Sequence, residues 1–145
     1  MLVEILSQII EFRDGDESDC NHARHMLDLS RRLLERLIVK TDKYAVAGRE
    51  NELISTASAL HDIGKVAIDK NIVGKKGRLT AEEFEIMKTH TIIGEEMLNN
   101  IPAYSADPLI KYAKEICRWH HERYDGKGYP DGLKGDDIPV SAQVV

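Results

Sequence analysis

At 145 residues, 42% hydrophobic and 31% charged, the chain is sized for one domain with a sizeable core. Its formal net charge of −5 excludes a broad basic footprint for nucleic acid, and its apolar runs fall far short of the roughly 18 residues of a membrane span. The opening "MLVEILSQII" has neither a basic n-region nor a small-residue cleavage site, which points to a cytoplasmic protein. Cys20 and Cys117 belong to no C-x-x-C pattern and read as reduced thiols, so nitrogen and oxygen would hold any metal.

Helical periodicity runs through the whole chain and no stretch alternates like a strand, so the expected fold is an all-α bundle. Residues 2–12 place Leu2, Ile5, Leu6, Ile9 and Ile10 on one face, and the polar "RDGDESD" that follows offers capping residues. From about 20 to 39, Met26, Leu29, Leu33, Leu34 and Leu37 form an apolar stripe opposite an Arg/Glu-rich face. Residues 41–50 read as a connection, and a helix from about 51 carries "HDIGK" near its end. The segment 66–79, with two glycines and the basic residues Lys70, Lys75, Lys76 and Arg78, reads as a solvated loop. Thr80-Ala81-Glu82-Glu83 has the form of a capping box opening the next helix, which Gly94 would break or tighten. Pro102 and Pro108 bracket a turn before a helix that ends at a histidine doublet. A glycine-rich loop then runs from 125 to 139.

Five of the six histidines fall in motifs suited to a metal centre: His22, His61 in "HDIGK", His90, and the doublet His120-His121. On a helix, Asp62 and Lys65 (three apart) and His61 and Lys65 (four apart) lean toward one side. Neighbouring His61 and Asp62 differ by about 100° around the axis, so both reach ions set against the helix, and the two oxygens of Asp62 allow it to bridge a pair. Gly64 leaves room for a ligand or a neighbouring helix. Each motif alone also has a plainer reading. The HD pair suits a capped helix end, the doublet suits a solvated helix terminus favoured by the dipole, and His22 or His90 suits a capping or structural role. Trp119 reads as a core residue, His25 as a surface one.

The ordered set of motifs resembles the HD-GYP domains, a branch of the HD metal-dependent phosphohydrolases. The resemblance runs from "EFRDGDESDCNH" through "LHDIGK", "GRLTAEEFEIMKTH" and "HHERYDGKGYPDGLKGDDIP" to "SAQVV", essentially the whole chain. It implies a phosphodiesterase for cyclic di-GMP or a related cyclic dinucleotide, yielding pGpG or GMP, with two divalent ions. These would be iron or manganese, with zinc or nickel as substitutes. By position, it makes His22, His61, Asp62, His90, His120 and His121 the metal ligands, and gives Lys65, beside Asp62, the scissile phosphate. Gly128, Tyr129 and Pro130 match the GYP signature of the substrate-side loop, which is also implicated in contacts with GGDEF-type or other signalling proteins. Tyr124, Tyr129 and Arg123 are candidates for contacts to the base.

Two departures qualify the resemblance. Members with a third metal carry a Glu where this chain has Ser18, so a binuclear centre at most is expected. The family's last ligand, an Asp beyond "SAQVV", falls after Val145, which implies a C-terminally incomplete domain with one weakened metal position. A rival reading is therefore a catalytically impaired output module behind a receiver or sensor domain, acting through protein contacts and able to oligomerise. A third keeps the site and changes the nucleotide.

Overall fold

The amphipathic stretch after residue 21 folds as a long helix, α1 (His22–Lys40). The computed structural model describes residues 22–44, 46 and 48–145; the helix expected over 2–12, the polar break after it, Ser18 and Cys20 lie outside them. The buried face of α1 is Ala23, Ser30 and Leu34. The stripe read from the sequence was therefore offset: Leu34 is in the core, whereas Leu29 and Leu33 are exposed. The small side chain of Ser30 is what faces inward, and its hydroxyl donates to the Val144 carbonyl at 3.1 Å.

Helix α2 (Gly48–Ser58) packs beside α1 and buries Asn51, Ile54, Ser55, Ala57 and Ser58. Its buried serines donate back to carbonyls of the preceding turn, Ser55 to Asn51 at 2.6 Å and Ser58 to Ser55 at 2.7 Å, so the polar groups enter the core satisfied. "HDIGK" does not lie on this helix as expected. Beyond Ser58 the backbone tightens into successive three-residue steps, among them His61 N to Ser58 O and Lys65 N to Asp62 O, and continues as a 3₁₀ turn (Ile63–Ala67). In that tighter winding residues three apart eclipse, so Asp62 still meets Lys65.

The expected loop over 66–79 contains a short helix, α3 (Lys70–Val73), capped by the Asp69 carboxylate; its basic residues are exposed, as read from the sequence. The capping box at Thr80 and Glu83 is present and opens α4 (Ala81–Lys88). The chain then bends at Thr89, not at Gly94, and continues as α5 (His90–Asn99). A Cβ on Gly64 would collide with the His90 carbonyl and the Gly94 amide, so glycine at 64 is what lets the "HDIGK" turn lie against the backbone of α5. Asp107 caps α6 (Pro108–Trp119), which ends at the doublet, and a short α7 (Val140–Gln143) closes the described chain.

Leu34, Ile54, Ala57, Leu60, Leu98, Ala113, Ile116 and Cys117 form the core between α1, α2, α5 and α6. The described residues contain helices and no strand, and no helix among them is long and apolar enough to cross a membrane.

Candidate metal centre

Four chain segments deliver their imidazoles to one carboxylate. His22 comes from the first turn of α1, His61 and Asp62 from the turn after α2, His90 from the start of α5, and His120 and His121 from the end of α6. The donor atoms fall into two groups that share Asp62: His22, His61 and Asp62 in one, and Asp62, His90, His120 and His121 in the other, with the atoms of each within 4.8 Å of one another. All six ligand positions read from the sequence are thus brought together. His25 is exposed on α1, in agreement with its surface reading.

The two oxygens of Asp62 face different groups. Oδ2 lies 3.1 Å from His61 Nε2 and accepts from Lys65 Nζ at 2.7 Å. Oδ1 lies 3.3 Å from His90 Nε2 and 3.7 Å from His120 Nε2. It is buried without a hydrogen-bond partner.

The ring orientations explain that orphan. Nδ1 of His61 pairs with the Ser58 carbonyl at 2.8 Å, Nδ1 of His90 with Met87 at 2.6 Å, and Nδ1 of His120 with Ile116 at 2.9 Å. A carbonyl only accepts, so each Nδ1 carries a proton and Nε2 is the ring atom turned toward Asp62. Nε2 of His90 and His120 are 3.3 Å apart. Facing lone pairs beside a buried carboxylate oxygen repel unless a cation or a shared proton lies among them. Backbone carbonyls that fix the tautomer of metal-binding histidines are the usual outer support of such sites.

The charge balance agrees. Burial works to raise the Asp62 pKa, but the charge and close contact of His61, with the nearby His120 and the Lys65 ammonium, outweigh it and hold the carboxyl well below the usual range. Burial pushes His90 down, and burial with the neighbouring imidazoles takes His121 down to about 3. Neutral His90 and His121 are the forms that offer a lone pair. Imidazole nitrogen with carboxylate oxygen is a donor set for iron, manganese, zinc and similar divalent ions, so these residues fit a metal pair.

The glycine-rich loop is drawn back over the doublet. A Cβ on Gly128 would collide with the backbone of His121, Glu122 and Arg123, and Tyr129 N donates to the His121 carbonyl at 3.3 Å. The Tyr129 ring stacks on His121 with centroids 4.7 Å apart, and Pro130 follows through a cis peptide bond. Glu122 Oε1 accepts from the amides of Asp131 at 2.7 Å and Gly132 at 2.9 Å. Asp131 in turn accepts from Arg118 Nε at 2.7 Å and Nη2 at 2.9 Å. Trp119 is not the core residue its position suggested: it is half-buried and donates Nε1 to Asp131 at 2.7 Å. An indole needs an acceptor for its N–H, and the loop supplies one.

Beside the doublet opens a cleft of about 520 Å³ bordered by Phe84, Lys88, His121, Arg123 and Tyr129. Of the base-contact candidates, Tyr129 borders it stacked on His121, Arg123 borders it while paired with Asp125 at 2.7 Å, and Tyr124 is exposed. Phe84 and Lys88 were missed in the sequence. Their four-residue spacing on the helix just before His90 was the available signal.

The family model described as "HD domain" matches residues 17–145. The chain belongs to the HD domain family. That family is metal-dependent, and the His/Asp cluster has donor atoms close enough together to hold a metal ion. The chain is 48% identical over 101 residues to a 3′3′-cGAMP-specific phosphodiesterase 2 of Vibrio cholerae, covering 70% of this chain and 19% of that protein. It is 40% identical over 144 residues to a cyclic di-GMP phosphodiesterase of Thermotoga maritima, covering 99% and 36%. It is 38% identical over 144 residues to the cyclic di-GMP phosphodiesterase response regulator RpfG of Xanthomonas campestris, covering 97% and 34%. These relatives agree with the HD-GYP resemblance, and the chain spans little more than a third of their length at most.

Proposed function

We propose that this HD domain is a cytoplasmic, metal-dependent phosphodiesterase for cyclic di-GMP or a related cyclic dinucleotide. The observation that carries the reading is Asp62, one carboxylate shared by two donor groups, with a buried oxygen that has no partner of its own. One ion would be held by His22, His61 and Asp62, the other by Asp62, His90, His120 and His121. When bound, such a pair supplies Lewis acidity and a water activated for attack on phosphorus.

The protein's own groups complete the chemistry. Lys65 Nζ, 2.7 Å from Asp62 Oδ2, stands at the edge of the centre and is the ammonium suited to neutralise charge on a phosphate oxygen. The Nδ1 contacts keep three imidazoles in one tautomer and one orientation, so little reorganisation is needed when substrate arrives. Gly128, Tyr129 and Pro130 wall the substrate side and fold back on the doublet. A relative named for 3′3′-cGAMP makes that dinucleotide the alternative substrate. Contacts with other signalling proteins through the exposed parts of the same loop are a compatible second role.

The test is turnover by the full chain reconstituted separately with Fe(II) and Mn(II), offered cyclic di-GMP and 3′3′-cGAMP. Hydrolysis of one of them is expected, with Lys65→Ala lowering kcat by about a hundredfold or more while bound metal is retained. Two equivalents of bound metal without cleavage of either dinucleotide would overturn the reading.

A further inference from the structure

Phe84 is half exposed, and it lines the cleft beside the histidine doublet. Its ring meets Tyr129 edge-on, with centroids 6.1 Å apart and planes at 84°. Tyr129 is itself stacked on His121, so an unbroken run of rings leads from the candidate centre to the outer wall of the cleft. Lys88, one turn along α4 from Phe84, holds Nζ 5.5 Å from the Phe84 centroid and 5.8 Å from that of Tyr129. Its ammonium also pairs with Glu85 at 2.7 Å.

An exposed ring next to a cation, at the mouth of a phosphodiester site, has the composition of a nucleotide subsite. A base stacks on an aromatic face whatever its hydrogen-bonding pattern, and an ammonium alongside meets a phosphate. Tyr129 leaves little face free, because His121 occupies one side of it. Phe84 is the more exposed of the two rings: among the described residues it meets Tyr129 at 84° and has Lys88 Nζ 5.5 Å from its centroid. The cleft volume suits a nucleotide-sized group.

We propose that Phe84 is the stacking platform for a purine base of the substrate, with Lys88 placed to meet a phosphate of the same nucleotide. The inference rests on the phosphodiesterase reading for its substrate class and adds residues from α4, an element outside the loop and the metal cluster. In this arrangement α4 sets affinity for the base, while the histidines and Lys65 act at phosphorus. Glu85 holds Lys88 until a phosphate competes for it.

The test separates the two readings by measuring binding as well as turnover. With the Mn(II)-loaded full chain, 5′-GMP and ribose 5-phosphate are titrated calorimetrically against the parent, Phe84→Ala and Phe84→Trp. The parent is expected to bind GMP about tenfold more tightly than ribose 5-phosphate, Phe84→Ala to erase most of that gap, and Phe84→Trp to restore it. Lys88→Ala is expected to weaken both ligands and to flatten their salt dependence. In turnover of cyclic di-GMP, Phe84→Ala raises KM by more than it lowers kcat. An unchanged GMP preference in Phe84→Ala, with the fold intact by circular dichroism, would overturn the platform even if the parent hydrolyses cyclic di-GMP. Loss of the preference in that variant upholds the platform even if no dinucleotide is cleaved.

Discussion

Oδ1 of Asp62 and Nε2 of His90 stand 3.3 Å apart, and neither has a proton to give the other. The carboxyl is held ionised by His61 and its neighbours against the effect of burial, and the imidazole proton is committed to the Met87 carbonyl. Two acceptors held face to face in a buried position are stable only with positive charge close by. Metal removal and side-chain truncation should therefore act on the same site.

Asp62→Ala removes the shared carboxylate from both donor groups, so elemental analysis should find less than half the parent's bound metal. His90→Ala removes one donor from one group only and should cost one equivalent. In the parent, saturating Mn(II) should raise Tm, and a chelator should reverse the gain. At a hundredfold excess over Kd the stabilisation is about 2.7 kcal/mol. Full metal content in Asp62→Ala would exclude the shared-carboxylate arrangement.

Gly64→Ala tests the contact between the "HDIGK" turn and α5. The added methyl has backbone on its far side, the His90 carbonyl and the Gly94 amide, and backbone cannot rotate away as a side chain can. The expected loss is about 3 kcal/mol, the upper end for overpacking, read by urea denaturation of metal-free protein. A change within error would mean that the turn and α5 do not approach so closely in solution.

Asp131→Ala releases the loop from Arg118 and Trp119 while leaving the amides held by Glu122. The bond to a partly exposed guanidinium is worth about 1 kcal/mol, so global stability should fall only slightly. Limited proteolysis between residues 123 and 135 should nevertheless accelerate several-fold. Equal cleavage rates in parent and variant would show that the Glu122 contacts alone keep the loop closed.

Tyr112 supplies a pH dependence away from the metal cluster. Burial, with the Glu50 carboxylate that its hydroxyl reaches at 2.8 Å, pushes its pKa up to about 12 from an ordinary value of 10. The folded state therefore keeps the phenol proton more tightly than the unfolded chain does. This contribution is complete below pH 10 and is lost as pH rises through 12. Between pH 10 and 12 the Tm of the parent should fall more steeply than that of Tyr112→Phe, which has no proton to lose. Parallel curves would remove the linkage.

The sequence by itself determined the all-α class, the capping box at Thr80 and Glu83, the helix end at the histidine doublet, and the six side chains that converge on one site. Those features are local or chemical: a helical period, a cap and a ligand type are all readable within a few residues. What only the tertiary structure decided depends on where helices cross. The face of α1 that turns inward is centred on Ser30 because the C-terminal turn packs there, so Leu29 and Leu33 stay outside. "HDIGK" sits in a tightened turn because Gly64 lies against His90 and Gly94, residues about 30 positions away. Trp119 faces the loop because Asp131 returns to meet it, and Phe84 joins the cleft only when Tyr129 folds back over His121. Long-range packing leaves no periodic trace in either partner's sequence, which is why these positions became visible only with the fold.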